Sequence, residues 1–81
     1  MGRPSPNPCR GEFSLPIGIP DAVQARLSVY DITGRERATK TFTGPAVFQY
    51  AIPRGQLKAG VYFVRLDDGR TRVTQRVVVA P

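Results

Sequence analysis

Leu57-Lys58-Ala59-Gly60-Val61-Tyr62-Phe63-Val64-Arg65-Leu66 decides the fold. Val, Tyr, Phe, Val and Leu within six positions suit a pleated surface better than a helix. Gly60 opens this strand, and Asp67-Asp68-Gly69 closes it just before a second candidate, Arg72 to Val79. The pair predicts an antiparallel hairpin turning at Asp68-Gly69. On the first strand Tyr62, Val64 and Leu66 share one face, and Val61, Phe63 and Arg65 the other. On the second, Val73, Val77 and Val79 are in phase. The triplet Val77-Val78-Val79 breaks strict alternation and predicts cover on both faces, or contact with a neighbouring domain.

Outward from this hairpin the same period continues. Val23, Ala25, Leu27 and Val29 alternate with Gln24, Arg26, Ser28 and Tyr30, which predicts a strand with one wet face. Asp31-Ile32-Thr33-Gly34 is a turn, with Asp31 suited to bonding backbone amides and Gly34 to a positive φ. Arg37 to Thr43 is a polar strand expected near a sheet edge, where its cations discourage intermolecular pairing. Gly44-Pro45 turns the chain into Val47 to Ile52, with Phe48, Tyr50 and Ile52 on one face. Pro53-Arg54-Gly55-Gln56 ends that strand, and Leu57 is expected to plug the core from the loop. Toward the amino end, Glu12 to Ile17 is a short strand stopping at or just after Pro16, and Gly18-Ile19-Pro20-Asp21 is a turn. Residues 1–8 read as an extended linker or lead-in, and 9–81 as the folded domain. Six or seven short strands with turns every 8–12 residues predict an all-β protein, a small immunoglobulin-like antiparallel β-sandwich. A small barrel fits the same periodicity.

Eighty-one residues make one domain, burying about 60% of the surface its unfolded chain exposes. Lys and Arg number 12 against six acids, a net charge of +6. The basic residues are strewn from Arg3 to Arg76 with no recognition helix and no RNA-binding aromatic signature. They read as solvating strand faces and not as a nucleic-acid surface. Cys9 is the single cysteine and there is no histidine. An internal disulfide, a paired-cysteine redox centre, a Cys-ligated zinc and the usual general base all lack their residues. Cys9 itself is expected to be buried or idle. No apolar run is long enough for a membrane span, and the proline-rich start lacks the apolar region of a leader peptide.

The remaining chemistry-bearing residues have ordinary readings. Gly55, Gly60 and Gly69 are turn glycines, because no glycine-rich stretch runs into a helix with Lys-Ser or Lys-Thr. Asp67 and Asp68, with Asp31 joining from afar, offer oxygen to a calcium ion, but carboxylates at hairpin ends ordinarily form turns. Tyr30, Tyr50 and Tyr62 offer a platform for a sugar ring, but ordinarily such residues lie over the core with the hydroxyl at its rim. Arg76, among apolar neighbours, is expected to pack its aliphatic stem. No catalytic, cofactor or metal site emerges.

The order of features carries a resemblance. Asn7-Pro8 is followed by Leu27-Ser28-Val29-Tyr30-Asp31-Ile32-Thr33-Gly34-Arg35, then the Leu57–Leu66 stretch, then Thr74-Gln75-Arg76-Val77-Val78-Val79. From about residue 7 to 80 this resembles the C-terminal sorting domain of the type IX (Por) secretion system. It is also similar to the related immunoglobulin-like domain of flagellar hook-capping proteins. Cys9 after Asn-Pro and the tail Val79-Ala80-Pro81 depart from the pattern. A tryptophan and a second turn motif preferred by the hook-cap form are missing, which favours the sorting form. The resemblance implies a noncatalytic module joined to an upstream cargo domain and recognised by an outer-membrane translocon. It implies passage through the periplasm to a secreted or cell-surface location. It marks Gly34, Arg35, Gly60, Tyr62 and Arg76 as recognition candidates. The alternatives are a carbohydrate-binding or structural accessory module of a secreted enzyme, and a hook-cap-like assembly domain.

Overall fold

The computed structural model describes residues 1–81 as an all-β sandwich of six antiparallel strands. They are β1 (Phe13–Ile19), β2 (Gln24–Asp31), β3 (Glu36–Thr43), β4 (Ala46–Ile52), β5 (Gly60–Asp67) and β6 (Arg72–Val79). One sheet is β1-β4 and the other runs β3-β2-β5-β6. The chain changes sheet after β1, β3 and β4, so only β2–β3 and β5–β6 are hairpins. The immunoglobulin-like sandwich expected from the strand cadence is the architecture found.

Period-two patterning builds the core. Phe13, Leu15, Ile17 and Ile19 of β1 are all buried, and Ile52 lies opposite Phe13. Across the interior they face Ala25, Leu27 and Val29 of β2, Tyr62, Val64 and Leu66 of β5, and Val77 and Val79 of β6. A fully buried aliphatic side chain of this size contributes about 1.5–3 kcal/mol by leaving water. Leu57, buried in the β4–β5 loop, plugs one end, and Cys9 lies buried in the same cluster.

Three local expectations change. β1 does not end at Pro16 but continues through Gly18 to Ile19, displacing the expected turn. Pro16 is tolerated because β1 pairs through the ladder only with β4, and proline is admissible on an edge strand. The β5–β6 connection is longer than a two-residue Asp-Gly turn: Asp67 pairs with Arg72, leaving residues 68–71 as the loop. Arg76 is exposed, not packed along its stem, because alternation on β6 points it outward opposite Phe63. The half-buried cation is instead Arg65, 4.8 Å over the Tyr30 ring and donating to its hydroxyl at 2.7 Å. Val78 is half-buried on the outer face, paired with Val61, so the valine triplet does serve both faces.

The first nine residues are tied to the sandwich. Gly2 N donates to Pro16 O, and Ser5 and Ser14 exchange backbone hydrogen bonds of 2.8 and 3.0 Å along β1. Four residues later the segment has crossed to the other sheet. There Cys9 N donates to Val78 O and Cys9 O accepts from Ala80 N, making a parallel bridge beside β6.

Candidate functional site

The motif pieces, dispersed along the chain, become neighbours through strand register. Asp31 pairs with Tyr62, and Tyr62 with Val77. On the next rung Tyr30 pairs with Phe63, and Phe63 with Arg76. Two adjacent rows of the four-stranded sheet therefore hold the Tyr-Asp of β2, the Tyr-Phe of β5 and the Arg-Val of β6. Asn7 adds the fourth piece. Its amide donates to Arg76 O at 2.9 Å, and its carbonyl accepts from Val78 N at 3.0 Å. A side chain here takes the place of a pairing strand.

The β2–β3 turn is organised by Asp31. Its Oδ1 accepts from the Thr33 hydroxyl at 2.6 Å and from the Thr33 and Arg35 amides at 3.0 Å each. Its Oδ2 accepts from Arg37 Nε at 3.0 Å. The Thr33 hydroxyl, then the Arg35 and Thr33 amides and Arg37, outweigh partial burial and hold the carboxyl down at about 2. Gly34 follows at φ 86°, a left-handed conformation that costs other L-residues, and its amide donates to Asp31 O. Gly34 and Arg35 are both exposed, and no carboxylate lies within ion-pair reach of the Arg35 guanidinium.

Tyr62 is buried, and its hydroxyl donates to Lys58 O at 2.6 Å. A tyrosine at the start of a strand bonding back to backbone just upstream is the corner device of immunoglobulin-like sandwiches. Gly60 stands between the two at φ 157°, near the fully extended range. A β-carbon there would lie 3.7 Å from the Tyr62 ring, in ordinary van der Waals contact. Arg37, Gln56, Leu57, Lys58 and Tyr62 line a small cleft at this end of the sandwich. Arg76 belongs to a separate polar cleft with Arg3, Ser5, Asn7 and Gln75, and it too has no acidic partner.

Of the five candidates, then, Gly34 and Arg35 shape and decorate one turn, and Gly60 and Tyr62 form a corner on the facing strand. Arg76 stands one rung away on the outer face. Sequence reasoning missed what Asn7 does, and it missed Ser28. Ser28 is buried at the centre of the outer face, its hydroxyl 3.5 Å from that of Thr39. The Asn-Pro dipeptide was the available signal for Asn7; nothing in the sequence around Ser28 marked it.

The other constellations do not assemble. Asp31 lies at one end of the β2–β5 pair, and Asp67 and Asp68 at the other. Asp68 Oδ1 accepts from the amides of Thr71 and Arg70, which holds its carboxyl below the usual range. Asp67 bonds Gly69 N and Arg72. The tyrosines share no platform: Tyr62 is in the core, Tyr30 is on the outer face beneath Arg65, and Tyr50 faces Phe42.

No helix is long and apolar enough to cross a membrane. Neither a curated protein nor a solved structure matches the chain. One family does, described as the secretion system C-terminal sorting domain, and its profile matches residues 5–80. That span takes in Asn7, the Asp31 turn, the Tyr62 corner and Arg76, and the chain belongs to the family of type IX secretion C-terminal sorting domains.

Proposed function

We propose that the domain is a noncatalytic address. It directs a larger polypeptide, joined to it as cargo, through the outer-membrane translocon of the type IX secretion system to a secreted or cell-surface location. The observation that carries this reading is the family match over residues 5–80. The convergence of the motif residues on two rungs of one sheet supports it, because a folded surface presenting those residues together can be read as a unit.

The translocon-facing surface in this reading is the end of the sandwich built by Gly34, Arg35, Gly60 and Tyr62, with Arg76 beside it. Tyr62 and Gly60 act through backbone shape. Arg35 and Arg76 offer exposed guanidiniums, which suit carboxylates of a protein partner. Fusing residues 5–81 to a periplasmic reporter, in a bacterium carrying this secretion system, tests the reading. Reporter at the surface or in the medium is expected, and reporter held in the periplasm would sink it. Arg35→Ala and Arg76→Ala separate recognition from folding: export should fall while the melting temperature stays put.

A further inference from the structure

The two sheets have four edges, and three of them are defended. β1 is covered by Gly2 and Ser5, and β6 by Asn7 and Cys9. β3 carries Glu36, Arg37 and Lys40, and its pairing with β2 shifts register between Val29 and Tyr30. Charges and irregularities of this kind discourage pairing with another chain. β4 has none of these devices. Ala46-Val47-Phe48-Gln49-Tyr50-Ala51-Ile52 contains no charge and no proline, pairs with β1 without a register shift, and leaves Val47 91% exposed.

We propose that the free edge of β4 pairs with β4 of a second copy of this chain, antiparallel about a two-fold axis at Gln49. The sheet becomes β1-β4-β4-β1. What selects a second copy is self-complementarity. Pro45 and Pro53 bracket the strand at equal distances from Gln49. In this one register all seven residues pair, and a slip in either direction runs a proline into the ladder. Phe48 of each copy falls opposite Tyr50 of the other on the inner face, an aromatic cross-strand pair made twice. On the outer face Val47 falls opposite Ala51. Each copy already has Phe42 against Phe48 and Tyr50, at 4.5 and 6.0 Å between ring centroids, so the new pairs extend an existing aromatic cluster. No like charges meet along the strand, although each copy carries +6 overall. A foreign acidic strand would gain from that charge in general but would find no cation on β4 to meet.

This proposal is independent of the sorting reading, and its tests are biophysical. Sedimentation equilibrium of the 81-residue chain is expected to show dimers. Dimerisation should strengthen as salt is raised from low to physiological levels, because salt screens the net repulsion and leaves an uncharged interface intact. Gln49→Lys brings two ammonium groups together at the axis. It should weaken association on the order of tenfold or more, with the circular dichroism spectrum unchanged, and the melting temperature unchanged at concentrations where both chains are monomeric. Cysteine placement tests the register. Gln49→Cys chains should form a disulfide with each other under mild oxidation. Two Val47→Cys chains should not, since those positions lie roughly 14 Å apart along the strands. A mixture of Val47→Cys and Ala51→Cys chains should cross-link. A chain that stays monomeric at millimolar concentration overturns the proposal and leaves the edge to a foreign strand. A dimer indifferent to Gln49→Lys, or equal cross-linking at 47 and 49, also overturns it.

Discussion

The sandwich has two sides where its sheets meet, and the chain treats them differently. Along one run the outer edges of β1 and β6, and residues 2–9 cross from the first to the second, bonding first to one sheet and then to the other. Along the other, β3 and β4 are joined only by Gly44-Pro45 and the half-buried rings of Phe42, Phe48 and Tyr50. Burial there raises the Tyr50 phenol above its ordinary pKa. The first side is closed by backbone and side-chain hydrogen bonds. The second is held by aromatic contact and leaves both outer edges without a strand partner. Such an asymmetry assigns stability to one side and accessibility to the other.

The strongest test compares core residues on the two sides. Leu15→Ala, in β1 beside the closed side, removes a fully buried side chain and should cost about 2–5 kcal/mol in urea unfolding. Phe48→Ala on the open side should cost less, about 1–2 kcal/mol, because its ring is already partly in water. Equal losses would erase the distinction. Asn7→Ala is next. It deletes two hydrogen bonds to β6 and should cost about 1–2 kcal/mol in total. Cys9, 1% exposed in the intact protein, becomes a reporter: thiol reagents should label it faster in Asn7→Ala, and unchanged labelling would mean the closure does not depend on that amide.

The smaller effects concern β3, which relies on its turn because only one of its edges is paired. Gly34→Ala forces a β-carbon into the left-handed region and should cost about 1–2 kcal/mol. The loss should appear first as reduced hydrogen-exchange protection in β3, with β5 and β6 little changed. Asp31 supplies a pH dependence. Its folded pKa, about 2, lies below the ordinary 3.8, so its stabilisation is fully present above about pH 4. It is lost as pH falls toward 2. Thermal melts across that range should show the decline, and Asp31→Asn should flatten it, leaving a weaker slope of the same sign from Asp68.

How far the sequence reached follows from what each signal is made of. The β2, β5 and β6 faces were legible because apolar residues recur every second position and the sheet buries one face. The edge placement of β3 was legible from its cations. Pro16 misled because proline argues against a strand interior, yet it sits on a strand with one ladder partner. Arg76 misled because apolar neighbours in sequence are not neighbours in a strand; alternation sends them to opposite faces. The turn aspartates were read correctly as turn formers. The site was legible as a set of motifs but not as a place, since Asp31 meets Tyr62, and Phe63 meets Arg76, only through register across three strands. Asn7 was marked by its Asn-Pro dipeptide, but its role was not legible. An amide standing in for a strand is a tertiary event with no periodicity to announce it.

The two hydrogen bonds of Asn7 span 69 and 71 positions. Closure of that side must therefore wait until the last strand has been made, however early its opening residues emerge. A ribosome or a protease that stops the chain short of Arg76 leaves Asn7 with nothing to hold, and β5 without its neighbour. The native state is in effect a receipt for a full-length strand β6. Long-range pairing of this kind also slows folding relative to proteins built from local contacts, so the chain spends longer as an open thread before it becomes a sandwich.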